Sequence, residues 1–534
     1  MSPASVDADR KLLRSRARWF RPKWARLQQR LLLGAVALVV AIVAGAPLLA
    51  LLTEMLRAGE GTSSLLVQPV LWTLFGRTVA GALVVTAASI LIGVPAGFVF
   101  ARTDVPGRRL LWLVHTFPLF VPPFLLALGW SYVFDRGGSL TEILFSTFGV
   151  VLVLTLALTP VVTALTAVAL AGIEPALEES ARVVATPLRT ALGVLLPAAR
   201  PAVALGGLIV FSLAVSELGV PLFLGSRTYA ESVFSRLGGI DYAPGEAVVL
   251  ATPLLAVGLL LVIIERRFVG RRRFELVGLR QSREPFPLGR WRPPATMLAV
   301  GLGVAAATPL AGLAWRAMRE SGLWSVGAWL GESLWTSLGT ALAAAAVALV
   351  IGCLVGHAVV QNLPVGRVLD TLLFLAFLTP AAVLGVGLIT AWNRPETWWL
   401  YRGWPILVLA GAARYSILAV RTATIAFAQS SPRLEEAGQV AGAGFGRRLI
   451  SLVIPLHWRG LVLAFVLTFV FCFRDLDMVI LFYPPGREPL MVRIFTLEAN
   501  GPSEIVAALA MVQVLVVAAV LAIGGLALTR TGTG

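Results

Sequence analysis

The sequence predicts an all-α polytopic membrane protein, with about twelve transmembrane helices in two parallel six-helix repeats, and three observations predict it. Hydrophobic residues make up 58% of the 534-residue chain and charged residues 13%, with a mean hydropathy of +0.86. That is more apolar surface than a soluble fold can hide, and apolar stretches of about 20 residues recur along the chain. Basic residues gather at the ends of those stretches, and short sequence marks recur at a constant offset of 258 or 259 residues.

A basic tail, residues 1–30, comes first, with nine Arg or Lys between Arg10 and Arg30. The first span follows from about Leu31 to Leu56, without a cleavage pattern behind it, and is expected to stay attached. The second runs from about Leu74 to Ala101, and Arg102, Arg108 and Arg109 then mark an inner loop. The third, about Leu110 to Phe134, carries Pro118, Pro122 and Pro123, tolerable only where neighbouring helices satisfy the freed carbonyls. The fourth runs from about Phe148 to Ala171, the fifth from about Ala202 to Leu224, and the sixth from about Ala247 to Ile264. These form a first repeat, residues 31–265.

Residues 266–294 read as a linker, with nine arginines between Arg266 and Arg292 and breaks at Pro285, Pro287, Pro293 and Pro294. The second repeat, residues 295–534, has spans near Met297–Trp315, Leu334–Val360, Leu369–Trp392, Trp404–Phe427, Leu461–Tyr483 and Ile505–Leu528. Ile92-Gly93 answers Ile351-Gly352 and Gly107-Arg108 answers Gly366-Arg367, while Pro244-Gly-Glu246 answers Pro502-Ser-Glu504. An even number of spans separates the copies, so the repeat is parallel. Positive-inside sorting puts both basic stretches and the N-terminus in the cytoplasm, beside anionic lipid headgroups. The net charge of +16 therefore reads as topology and lipid contact rather than as nucleic-acid binding, which would interleave aromatics in a basic patch.

The most informative repeat is polar. Residues 175–197 read PALEESARVVATPLRTALGVLLP, and residues 432–455 read PRLEEAGQVAGAGFGRRLISLVIP. Each copy starts with a proline suited to a first helical position, and places two carboxylates, Glu178 and Glu179 or Glu435 and Glu436, at the positive end of a short helix. Breaks at Thr186-Pro187 and Gly442-Ala-Gly444 leave helices of about three turns, marginal unless they dock on something.

Glu436-Ala437-Gly438, then Gly442, Leu452 and Ile454-Pro455, resembles the EAA loop of ABC importer permeases, whose pattern is E-A-A-x3-G-x9-I-x-L-P. In the first copy Glu179-Ser180-Ala181 matches the start, Ala185 replaces the glycine, and Pro197 falls one residue early. The segments at residues 102–109 and 477–486 look most like fused permeases of the ferric-iron and thiamine importer group. The resemblance implies a type I ABC importer permease fold in the cell inner membrane. It implies coupling helices that sit in grooves of a separate ABC ATPase subunit, expected as a dimer, through Glu178, Glu179, Ala185, Pro197, Glu435, Glu436, Gly442 and Pro455. It also implies a periplasmic or lipid-anchored solute-binding protein outside, and a small solute such as ferric iron or a thiamine-like molecule.

The remaining chemistry is sparse. A P-loop needs a lysine for the phosphates, and the chain has only Lys11 and Lys23, both in the tail. ATP hydrolysis is thus expected elsewhere, and no catalytic constellation is present. Cys353, Cys472, His115, His357 and His457 have no metal-ligand spacing, so no metal or cofactor is expected in this chain and the histidines read as structural. Charges at membrane depth are the other lead. Glu217 lies twenty residues past Pro197 and Asp475 twenty past Pro455, one acid per repeat, whereas Arg414 answers Ala157 and breaks the symmetry. Lining a pathway and pairing structurally with Arg414 or Arg474 both fit these residues. The rival is an ion-coupled secondary transporter of six plus six helices, against which the duplicated loop argues, since such a carrier grips no ATPase.

Overall fold

The computed structural model describes residues 23–57, 64–134, 138–238, 243–269, 285–286, 288–319 and 322–529. Most of the basic tail and of the arginine-rich linker lies outside the described residues. Among those described, nine helices are long and apolar enough to cross a membrane, and twelve spans result if each of three sharply bent pairs counts as one. No strands occur among them; the isolated bridge Thr103–Phe286 is the extended pairing that is seen.

The first half contains α1 (Leu27–Arg57), α2 (Pro69–Arg102), the bent pair α3 (Arg108–Phe120) and α4 (Pro123–Val133), α5 (Thr147–Ala171), the short loop helix α6 (Pro175–Val184), α7 (Ala191–Ser216) and α8 (Pro244–Arg267). The second contains α9 (Gly289–Ala317), α10 (Ser333–Val360), the bent pair α11 (Pro364–Leu378) and α12 (Ala381–Trp392), α13 (Pro405–Ala428), the loop helix α14 (Pro432–Val440), the bent pair α15 (Phe445–Leu456) and α16 (Trp458–Phe473), and α17 (Ser503–Leu528).

Two expected spans are therefore bent within their length. The third bends by 111° and the ninth by 112°, where Pro122-Pro123 and Pro380 push the preceding residue out of the helical region and remove backbone donors. A third bend, of 84° at His457, lies between the second loop and the eleventh span rather than within that span. The fifth and eleventh spans also end early, at Ser216 and Phe473 rather than at Leu224 and Tyr483. Glu217 and Asp475 thus sit just past helix ends, ahead of short turns whose first N–H groups need acceptors.

The sequence marks of the repeat are explained by packing. A Cβ at Gly93 would lie 2.8 Å from Val162 Cβ, and one at Gly352 would lie 2.9 Å from the Ala419 backbone. These glycines allow α2 to cross α5, and α10 to cross α13, at backbone contact, the small-residue mode that drives helix association in lipid. The halves also exchange their first helices: the end of α1 packs on α12, and α9 packs on α4. At that second contact Gly129 and Gly312 bring the chains together, with the Cβ of Gly129 2.1 Å from Pro309 O if it existed.

Candidate functional site

The two short loop helices present one face to the protein and one to open space. Glu178, in the first turn of α6, is buried and receives Arg102 Nη2, at the end of α2, and Arg182 Nη2 at 2.6 Å. Glu435 takes the same role in α14, with His357 Nε2 at 3.0 Å and Gln361 Nε2 at 3.1 Å, both from the end of α10. Arg102 and Gln361 are 259 residues apart, so the anchor recurs at one repeat position with different chemistry. Burial pushes the Glu435 carboxyl up, but the hydrogen bond and charge of His357, with Arg448 and Gln361, outweigh it and leave the group below its ordinary value. The second glutamates, Glu179 and Glu436, are exposed. Beside them stand apolar side chains without cover: Leu177, Val183 and Val184 on α6, and Leu434 and Val440 on α14.

The loops end differently, and the difference accounts for Ala185. Gly442 has φ +82°, and Gly442 N and Ala443 N donate to the carbonyls of Gln439 and Gly438, a glycine-terminated helix end. Ala185 instead is extended, at φ −138° and ψ 151°, so a loop one residue shorter leaves the helix without a left-handed residue and needs no glycine. Neither proline marks the end of a helix: Pro197 lies inside α7 and Pro455 inside α15. A single π-turn precedes each, at Ala191–Leu195 and Leu449–Val453, and its wider bonding absorbs the donor that proline lacks.

On the seam between the halves, Glu217, Arg414, Arg474, Asp475 and Asp477 come together. Their cavity is about 30 Å³, room for about one water, so the seam is closed there. Each repeat-related acid caps the turn after its own helix: Val220 N donates to Glu217 at 3.3 Å, and Met478 N to Asp475 at 3.4 Å. Asp477 reaches across the seam and accepts from Leu218 N at 3.2 Å and Gly219 N at 3.4 Å. Arg474 crosses in the other direction, donating to Leu119 O and Val121 O, the carbonyls freed at the α3–α4 bend. Ser212 does the same for the second bend, donating to Leu378 O at 2.9 Å.

Of the two expected pairings, one forms. Arg414 lies 3.6 Å from Asp475, both side chains almost wholly buried. Arg474 serves backbone carbonyls, and among the described residues Glu217 has no ion pair. The sequence reading missed a second inter-half cluster near the loop end. There Arg266, at the end of α8, reaches Asp370 of α11 at 2.7 Å, and Arg421 of α13 reaches Asp370 at 3.1 Å and Glu265 at 3.6 Å. A signal was available, since Asp370 and Arg421 both interrupt apolar runs. Among the described residues no group of three His, Cys, Asp or Glu is placed to hold a metal.

The paired loops, repeated anchors and closed seam can be compared with known proteins. Residues 90–275, which take in the first loop, match the family described as binding-protein-dependent transport system inner membrane component. A putative ferric transport system permease protein of Haemophilus influenzae is 24% identical over 443 residues, covering 76% of this chain and 70% of the relative. The family match lies in the first half and the linker that follows it, whereas an alignment covering 76% of the chain takes in residues of both halves. The chain is a fused ABC importer permease. A ferric transport system permease of Actinobacillus pleuropneumoniae is 26% identical over 66% of the permease and 56% of its own length. A molybdate/tungstate transport permease of Pyrococcus furiosus is 26% identical over 45% of the permease, yet over 94% of its own length. Single-half relatives of that kind agree with a fused pair, and the secondary-transporter alternative is not favoured.

Proposed function

We propose that this permease carries ferric iron across the cell inner membrane, with its N-terminus in the cytoplasm and residues 31–265 and 295–534 as two repeats joined at 266–294. The single observation that supports iron is the span of the relatives: those that align across both halves are named for ferric transport, whereas shorter relatives are named for anions. Charge agrees with a cation, because three carboxylates and two guanidiniums meet at the seam. Energy comes from a separate ATPase dimer seated on residues 175–197 and 432–455, with Glu179, Glu436 and the bare valines as its contacts and Glu178 and Glu435 as anchors. A periplasmic or lipid-anchored binding protein delivers the solute, and membrane lipids surround the spans.

In this reading Glu217 and Asp475 face the pathway when the seam parts, and Arg414 neutralises Asp475 while it is closed. The reading is tested by ATP-driven uptake into proteoliposomes holding the permease and its ATPase, with binding protein outside and labelled ferric iron or molybdate as solute. Iron uptake, lowered in the Glu217→Gln, Asp475→Asn double variant at unchanged protein level, supports it. Molybdate uptake in place of iron would overturn the substrate, and unimpaired iron uptake by the double variant would leave both acids structural.

A further inference from the structure

The segment that precedes each half's first span does not stay with its own half. Gln28, near the start of α1, lies against the second loop, at Gly444 and Gly446: a Cβ there would fall 2.5 Å and 2.8 Å from the ends of the Gln28 side chain. Leu32, one turn on, packs with Phe445, Leu449 and Val453 of that loop. On the other side, Phe286, just before α9, is buried among Leu170, Ile173, Ala191 and Leu195 around the first loop. Its N–H donates to Arg102 O at 2.6 Å, and the Arg182 guanidinium lies 4.8 Å from its ring centre. Arg102 and Arg182 are the two residues that hold Glu178.

Gln28 and Phe286 are 258 residues apart, within one residue of the 259 offset that relates the next marks along the chain. Two unlike side chains at nearly one repeat position thus make the same kind of contact, each with the loop of the opposite half. Chance packing gives no reason for that coincidence. We propose that Gln28 and Phe286 are positioning residues that brace each coupling loop to the first span of the opposite half, so that movement of one loop is carried directly into the other half.

The mechanical consequence follows from the exchanged helices. α1 and α9 already lie on α12 and α4 of the opposite half, next to the bends whose freed carbonyls Ser212 and Arg474 satisfy. A loop that drags the opposite first span therefore acts on those bends from outside, while α7 or α15–α16 acts on its own half. A side chain at 444 or 446 would displace the end of the flexible Gln28 side chain from the loop. This proposal rests on the reading that both loops carry the ATPase, which is checked separately below by whether the ATPase co-purifies.

Spin labels at Leu31 and Arg447, both exposed, measure the brace in the full complex with its ATPase, in a background lacking Cys353 and Cys472. With a non-hydrolysable ATP analogue as the probe, the label-to-label distance should not change on nucleotide addition in the otherwise native chain. In Gln28→Ala it should shift by about 2 Å or more, the scale of helix movements at interfaces. Labels at Arg189 and Arg290, also exposed, give the same test for Phe286→Leu, which keeps an apolar side chain in the buried site. A nucleotide-dependent shift in the native chain would overturn the brace, and so would a constant distance in both variants. Absence of the ATPase from the purified native complex would instead overturn the docking reading.

Discussion

Glu178→Gln should detach the first loop helix, while Glu179→Gln, one residue on, should not. The Arg102 and Glu178 side chains are only 5% and 6% exposed, so removing the carboxylate leaves a buried guanidinium without its counter-charge. Breaking such a pair costs about 3 to 5 kcal/mol, and the amide oxygen of glutamine recovers part of that, which leaves roughly 3 kcal/mol as the expected loss. Arg182 is more exposed and one helical turn away, and adds only about 0.3 to 0.5 kcal/mol. At 1.4 kcal/mol per tenfold, the open population of α6 should rise roughly a hundredfold. Glu179 is exposed and its change should stay within about 0.5 kcal/mol. Hydrogen exchange of the amides of residues 177–184 reads this directly, in the permease without its ATPase. Equal exchange in the two variants would refute the division into an anchoring and an outward glutamate.

The second loop should respond to pH through Glu435. Its carboxyl is held below its ordinary value, so the attachment it provides is complete above that value and is lost as pH falls through the lowered one. Limited proteolysis at residues 432–442 should show protection that declines on acidification in the native chain and is independent of pH in Glu435→Gln. Gly442→Val should strain the φ +82° position by about 1 to 2 kcal/mol and shift the loop's melting, whereas Ala185→Val, at an extended residue, should leave it unchanged. Arg414→Met strands Asp475 in the closed seam and should lower the stability of the purified permease by about 3 to 5 kcal/mol, with Arg414→Met, Asp475→Leu recovering most of it. Failure of the double variant to recover would show that the pair is not the reason for the loss.

The number of spans, the repeat and both loops were legible because each leaves a mark in composition or spacing: apolar length, an offset near 258, and carboxylates after a proline. The bend at Pro122-Pro123 was legible only as tolerated prolines, and the one at Pro380 was not read at all, since whether a proline bends a span or passes within it depends on neighbours. Pro197 passes within α7 because a π-turn precedes it, and no local residue pattern announces that turn. Which glutamate of each pair faces inward was not readable either, because adjacent positions in one turn differ only in what the opposing helix offers. Arg102 and Gln361 decide it here. The seam acids were found by the repeat, but their role as caps needed the early helix ends at Ser216 and Phe473. The reach of Asp477 to Leu218 and Gly219 in the other half is a tertiary fact that no local pattern announces.

The central claim is that two loops of one chain grip the ATPase, and crosslinking from their bare faces tests it most directly. Val184 is 84% exposed on α6 and Val440 89% exposed on α14, so cysteines placed there, in a chain lacking Cys353 and Cys472, touch only what docks. With a short thiol crosslinker in the assembled transporter, each single-cysteine chain should capture one ATPase subunit, and the chain carrying both should capture two. Capture by neither position, from a complex that still hydrolyses ATP, would contradict the account.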